Sequence, residues 1–255
     1  MLQQLLAHPL MRHIDLDDPA TTERRRQVLQ EKPFLKKLYR EWYALLAAEF
    51  TADQRVLEIG AGAGFLKEFL PGLIRSEILP ITDMDLVLDA RNLPFGQSTL
   101  HGIVMTDVLH HIPDCTAFLK EAARVIQPGG KLAMIEPWNN LWARFIYTHL
   151  HHEPFLPTAQ SWALPAGGPL SIANGALPWM ILVRDRQRFA KQHPEWQLQT
   201  LAPLMPLAYL LSGGLSLRSL LPSFSYSLLR WFEKRFFETH WGMFAHISLT
   251  RCNPD

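Results

Sequence analysis

The chain has 255 residues, 48% of them hydrophobic and 19% charged, with a formal net charge of +1. That length suits one domain with an elaboration, and that composition excludes wholesale disorder. No run of clustered Lys and Arg occurs, so a nucleic-acid partner is disfavoured, because phosphate binding needs a concentrated basic surface.

In chain order, Met1–Ala20 has no basic start, and His8, Pro9, Arg12 and Asp15 break its apolar run, so no secretory signal is expected. Thr22–Phe50 carries Leu29, Phe34, Leu35, Leu38, Tyr39, Trp42, Leu45 and Leu46 at helical spacing, and Pro33 divides it into two helices. Arg55–Gly60 is a short apolar run closed by glycine and predicts a buried strand. A short helix over Phe65–Leu70 and strands at Ile78–Ile81, Leu86–Leu88 and Gly102–Met105 follow. Asp114 is placed to cap a helix over Thr116–Ile126, and Pro128-Gly129-Gly130 predicts a turn before a fifth strand, Lys131–Ile135. Beyond Glu136 the chain is rich in Trp, Leu and Pro and predicts mainly helix, until Met243–Thr250 alternates apolar and polar residues as a last strand. Trp196–Leu217 is long enough to span a membrane but is interrupted by Pro203, Pro206, Gly213 and Gly214, which disfavours a spanning helix. Cys115 and Cys252 stand far apart, so no disulfide framework is implied and a reducing cytoplasm fits.

This strand–helix alternation predicts an α/β fold with a doubly wound, mostly parallel sheet. Four segments are expected: N-terminal helices over 1–54, a cofactor-binding α/β core over 55–137, an acceptor-side helical elaboration over 138–232, and a C-terminal strand over 233–255 that completes the sheet.

The sharpest motif is Glu58-Ile59-Gly60-Ala61-Gly62-Ala63-Gly64. It follows a strand and opens a helix, at the carboxyl end of the sheet, where such folds bind ligands. Alternate glycines let the backbone turn tightly and approach a ligand. A dinucleotide fingerprint would need a small residue where Phe65 or Lys67 stands, so a nicotinamide-dependent oxidoreductase is the weaker alternative. Glu58 would also repel a pyrophosphate, whereas it suits a cationic, amino-acid-bearing ligand.

The motif resembles the acid-x-Gly-x-Gly-x-Gly loop of the class I S-adenosylmethionine-dependent methyltransferases, and the likeness continues over about Val56–Pro137. It implies S-adenosylmethionine as cofactor, held by Glu58, Gly60, Ala61, Gly62 and Gly64. Asp83, in Asp83-Met84-Asp85, is preferred by spacing as the acid on the ribose hydroxyls. Asp89-Ala90 resembles the segment that walls the adenine, and Asp107-Val108-Leu109-His110-His111-Ile112 the segment beside the methionine moiety. Val125–Lys131 resembles the family's helix-to-strand turn. A non-catalytic module retaining the fold is a second alternative, against which the intact glycine and acid set argues.

The Asn/Asp-Pro-Pro-aromatic motif of nucleobase and amide methylation is absent after the fourth strand, where Asp107-Val108-Leu109-His110 stands instead. The resemblance is therefore to the branch acting on small molecules, including quinone precursors and lipids. Histidine suits general-base work near neutral pH, and His111 is preferred to His110 for it, with Glu136 as another candidate. His149, His151, His152 and Glu153 invite a metal hypothesis, but Pro154 ends their helix and no metal is expected. Trp138, Trp142, Phe145, Tyr147, Phe155, Trp162 and Trp179, with the Leu-rich stretch Leu201–Leu229, predict an apolar acceptor pocket walled by 138–232 and the N-terminal helices. Arg218, Arg230, Lys234 and Arg235 beside Leu228, Trp231 and Phe232 suit peripheral contact with an anionic membrane.

Overall fold

Val56–Ile59 (β1) is buried along its whole length, as expected of a strand with both faces of its sheet covered. The computed structural model describes residues 6–12, 14–151 and 153–253. Around β1 stand Ile74–Glu77 (β2), Leu86–Val87 (β3), Leu100–Thr106 (β4), Ile126–Pro137 (β5), Trp196–Leu204 (β6) and Phe244–Arg251 (β7). They form one sheet in the order β3-β2-β1-β4-β5-β7-β6. β1 to β5 run parallel, and β7 lies antiparallel to both β5 and β6. The order reverses between β1 and β4, which opens a crevice at the carboxyl ends of those strands.

Pro19–Glu31 (α1) and Pro33–Ala47 (α2) are the two expected helices. Pro33 opens α2, where its missing N–H costs no helix hydrogen bond. The buried face of α2 carries Phe34, Leu35, Leu38, Tyr39, Trp42, Tyr43 and Leu46. In Cys115–Val125 (α3) the expected cap is present, since the Asp114 carboxylate accepts from the Ala117 N–H at 3.0 Å.

Three expectations need correction. The second strand is Ile74–Glu77 and ends just before the predicted Ile78–Ile81. The apolar run is loop, with Ile78 and Pro80 exposed, while Ser76 is the fully buried strand residue and donates to the Glu58 carbonyl at 2.7 Å. The predicted Phe65–Leu70 helix is a single 3-10 turn at Leu66–Glu68. Residues 128–130, predicted as a turn before a separate strand, lie within β5, where the pairing to β4 shifts register.

The stretch 138–232 contains helices, among them Leu141–Leu150 (α4), Arg186–Gln192 (α5) and Tyr226–Phe236 (α6), but it also contains β6. β6 is an edge strand paired only with β7, and Pro203 is tolerated there because an edge residue can lack a ladder donor. No helix among the described residues is long and apolar enough to cross a membrane.

Arg230, expected at a membrane-facing surface, is buried instead. Its guanidinium donates to Glu41 on α2, to Glu233 on its own helix and to Glu238 just beyond it. Glu233 in turn accepts from the Leu207 and Ala208 N–H groups. Together these four side chains tie α2, α6 and the segment after β6 to one another.

Candidate functional site

The loop after β1 follows its glycine pattern closely. Gly60 and Gly62 have φ of +67° and +45°, left-handed values that favour glycine. A Cβ on Gly60 would also lie 2.5 Å from a Val108 methyl carbon, so the turn and its close approach to the segment after β4 both require glycine there. The Ala61 N–H donates to the Ser76 carbonyl at 2.9 Å and the Gly64 N–H to the Ala61 carbonyl at 2.8 Å.

Glu77, the last residue of β2, faces this loop. Its carboxylate accepts from the Gly62 N–H at 3.1 Å and the Ile78 N–H at 2.8 Å. Burial raises its pKa, against the lowering by these two hydrogen bonds. Asp83 points instead to solvent: its side chain is 77% exposed and 3.7 Å from the Arg26 guanidinium. Asp85 accepts from the Arg75 N–H at 2.8 Å and pairs with Lys67. The acid that the structure sets beside the glycine loop is therefore Glu77. Its signal in the sequence was an acid closing a short strand, hidden by the more apolar run that follows.

Glu58, Gly60, Ala61, Gly62, Gly64, Glu77, Asp89, Ala90 and Asp107 all line one cavity of about 450 Å³. Burial pushes the Glu58 carboxyl up to about 8, with Arg75 lowering it and Glu77 raising it. Asp89 is gripped by the Arg91 guanidinium, at 2.6 Å in the shortest contact. Asp107 has φ +63° and donates its N–H to the Ile135 carbonyl. Burial raises its carboxyl to about 7, opposed by His110 and reinforced by Glu153 and Glu136.

Beyond Asp107 the cavity meets a knot of histidines and acids. His110 is fully buried, and its Nδ1 lies 2.8 Å from Glu136 Oε2. The other oxygen of Glu136 accepts from the Val108 and Leu109 N–H groups at 2.8 and 2.7 Å, so Glu136 organises the segment after β4. Burial disfavours the His110 cation, but Glu136, Glu153 and Asp107 outweigh it and raise its pKa well above the usual value. His111 lines the cavity with its Nδ1 2.8 Å from the Ile172 carbonyl. A carbonyl only accepts, so Nδ1 carries the proton and Nε2 keeps its lone pair. Burial and the neighbouring His110 push the His111 pKa down to about 4, which makes it a weak proton acceptor.

Glu153 and His151 also line the cavity. The Glu153 carboxylate lies 3.5 Å from His110 Nε2 and 3.8 Å from His111 Nε2. Burial pushes Glu153 up, but His110, His111 and His151 outweigh it and hold it well below the usual carboxylate range. His149 is exposed, with its Nδ1 2.9 Å from the Phe145 carbonyl, and His152 lies outside the described residues. His149 thus stands apart, while Glu153 keeps His151 at 3.9 Å and also meets His110 and His111.

Tyr39 and Tyr43 from α2, Ile112, Pro113, Pro169, Leu170, Tyr209 and Leu215 supply the apolar wall. None of the seven aromatic residues expected there, from Trp138 to Trp179, is among the lining residues. Trp138, Tyr147, Phe155 and Trp162 are buried in the core, and Phe145 is exposed. The N-terminal helices do contribute, through Thr22 and Arg25 as well as the two tyrosines.

The model of a methyltransferase-domain family matches residues 30–193. A demethylmenaquinone methyltransferase of Corynebacterium urealyticum is 33% identical over a region covering 34% of this chain and 44% of that protein. A ubiquinone biosynthesis O-methyltransferase of Xanthomonas axonopodis pv. citri is 26% identical, covering 55% of this chain and 72% of that protein. The chain thus spans less than half of the first relative's length and most of the second's. Among solved structures, geranyl diphosphate C-methyltransferase from Streptomyces coelicolor A3(2), in complex with Mg2+, geranyl diphosphate and S-adenosyl-L-homocysteine, has a TM-score of 0.52 at 14% identity. That match covers 96% of this chain and 91% of the other, and at such identity it is a likeness of fold.

Proposed function

Since the chain belongs to the methyltransferase-domain family and S-adenosylmethionine is its cofactor, we propose that it methylates a small, largely apolar acceptor of the quinone-precursor or lipid-like kind. The observation that carries this is one cavity lined both by the glycine loop with Glu77 and by Asp107, His111 and an apolar wall. The names of the two quinone-pathway relatives favour the same acceptor class. Family membership removes the nicotinamide-dependent alternative.

The donors and acceptors around the loop fit the cofactor. Glu77 has two lone-pair directions left after its two backbone contacts, and it holds the ribose hydroxyls. Asp89 and Ala90 bound the adenine. Glu58 and Asp107 supply negative charge for the cationic amino-acid end, and Gly60, Ala61, Gly62 and Gly64 allow close backbone approach. When bound, the cofactor supplies an electrophilic methyl group on a sulfonium. The work left to the chain is to hold donor and acceptor in line and exclude water, which accounts for much of the rate in such displacements. The direct test is transfer of labelled methyl to demethylated quinone precursors, to phospholipids and to RNA. Label in the organic-soluble acceptors is expected, and label confined to RNA would overturn the assignment.

A second expected result concerns protons. A Glu58 carboxyl with a pKa near 8 is mostly protonated at neutral pH, and a cationic ligand beside it favours ionisation. Binding of S-adenosylmethionine at about pH 7 therefore releases a proton to buffer. The binding enthalpy should change with the ionisation enthalpy of the buffer, and Glu58→Gln should diminish that dependence. Identical buffer dependence in the variant would remove Glu58 from this role.

The outer face of α6 and the turn after it expose Leu228, Trp231, Phe232, Phe236 and Trp241, beside exposed Lys234 and Arg235. The Glu238–Trp241 turn packs against α4, which adds exposed Leu141, Phe145 and Leu150. Exposed apolar side chains with the Arg235 cation beside them suit an anionic membrane surface, and an acceptor dissolved in the bilayer would be delivered there. Wild-type protein should sediment with anionic vesicles at low salt, and Trp231→Ser with Arg235→Glu should largely abolish this. No sedimentation of the wild type would rule out docking. Arg230 is unsuitable for this test because it is buried.

A further inference from the structure

The geometry points to a divalent-cation site of the zinc type formed by His110, His111 and Glu153, open to the acceptor end of the cavity, where it takes a hydroxyl oxygen of the acceptor as a further ligand. It rests on the methyltransferase assignment above and narrows the acceptor to one bearing a phenolic or enolic oxygen.

Convergence comes first. One ligand atom from each of the three residues lies within 4.8 Å of the other two, with His110 Nε2 3.5 Å and His111 Nε2 3.8 Å from the Glu153 carboxylate. Ligands held about 2.0–2.1 Å from a tetrahedral zinc are separated from one another by about 3.4 Å. Small side-chain adjustments therefore bring the three onto one ion.

The orientation of the rings comes second. A metal-binding histidine usually gives its other nitrogen to a carboxylate or a carbonyl, which fixes the ring and leaves the ligating lone pair in place. Both histidines here have such a partner. His110 Nδ1 lies 2.8 Å from Glu136, itself anchored by two backbone N–H groups, and His111 Nδ1 lies 2.8 Å from the Ile172 carbonyl. Each ring thus keeps its Nε2 for the side facing Glu153. His110 Nε2 is fully buried and makes no hydrogen bond of normal length among the described residues.

Charge comes third. Glu136, Glu153 and Asp107 bring three carboxyl groups to two imidazoles, and Asp107 Oδ1 is 3.9 Å from His110 Nε2. A dication among them offsets that surplus. Because Asp107, His111 and Glu153 all line the cavity, the remaining coordination position faces it. An oxygen bound there loses its proton to solvent much more readily than it would in water, as bound water does on zinc. No protein base is then required.

The test uses the full chain and zinc ion alone. After dialysis against buffered zinc, elemental analysis should find one zinc per chain in the wild type. Titration calorimetry should show weakening of about 10–100-fold in Glu136→Gln, the expected effect of removing an orienting partner, and a larger loss in His111→Ala and Glu153→Gln. S-adenosylhomocysteine binding should persist in His111→Ala and Glu153→Gln, which establishes that they fold. Cobalt in place of zinc should give the intense visible absorption of a tetrahedral ion in the wild type alone. A wild type that retains no zinc, or that binds it no more tightly than His111→Ala and Glu153→Gln do, overturns the site. Failure of the wild type to bind S-adenosylhomocysteine would instead overturn the assignment on which it rests.

Discussion

Glu77→Ala should weaken S-adenosylhomocysteine binding by roughly 10–100-fold, while Asp83→Ala leaves it within about twofold. A hydrogen bond to a charged group contributes about 1.5–3 kcal/mol, and each 1.4 kcal/mol is a factor of ten. Glu77 is buried against the glycine loop and lines the cavity, so the hydroxyls of a bound ribose meet a carboxylate already held by two backbone N–H groups. Little reorganisation is needed on binding. Asp83 is largely in water, and its 3.7 Å contact with Arg26 is the weak, screened kind. Glu77→Gln keeps the shape and removes the charge, so its affinity should lie between those of Glu77→Ala and the wild type. Calorimetry on the three variants checks this. Equal losses in Glu77→Ala and Asp83→Ala would return the ribose to the loop after β2.

Arg230→Ala should lower the stability of the fold by about 3–5 kcal/mol, the usual cost of stripping a buried charge of its partner. Three carboxylates, Glu41, Glu233 and Glu238, share this one buried guanidinium. The loss should appear as a fall in the denaturant midpoint at nearly constant slope, and a change below 1 kcal/mol would show the cluster to be dispensable. The same cluster sets an acid limit. Burial alone would raise the Glu41 carboxyl, but hydrogen bonds from Arg230, Lys234 and Tyr226 hold it at about 2, against an ordinary 4.5. A depressed carboxyl stabilises the fold fully above its unfolded pKa, and that contribution is lost as pH falls through its folded pKa. Glu41 is partly open to water, so screening leaves a contribution of about 1–2 kcal/mol. In Glu41→Gln, the stability deficit against wild type should therefore shrink as pH drops from about 5 to about 2. A deficit that stays constant over that window would assign Glu41 a packing role alone. Because the cluster also holds the chain just before Tyr209, its loss should loosen one wall of the cavity.

The family and the glycine loop were legible in the chain because their demands are local. A left-handed Gly60, a buried run in Val56–Ile59, Asp114 capping α3 and Pro33 opening α2 each depend on a few neighbouring residues. Glu58, Gly60, Ala61, Gly62, Gly64, Asp89, Ala90, Asp107 and His111 all reach the one cavity for the same reason: each sits at the carboxyl end of a strand whose apolar pattern identifies it. Local pattern failed where a strand is polar. β2 is Ile74-Arg75-Ser76-Glu77, and β6 is an edge strand with polar residues and a proline, so neither stands out against more apolar loops beside it. Misplacing β2 by one strand length moved the candidate acid from Glu77 to Asp83. The remaining decisions belong to the tertiary structure alone. Sheet order brings β5 beside β4, so that Glu136 reaches His110 and the chain leaving α4 brings Glu153 to both histidines. Packing of α6 on α2 converts Arg230 from a surface cation into a buried hub. Residues distant in the chain meet through strand register and helix packing, and the side chains that meet carry no mark of it in their own neighbourhoods, because a charge looks the same in a sequence whether water or a carboxylate surrounds it.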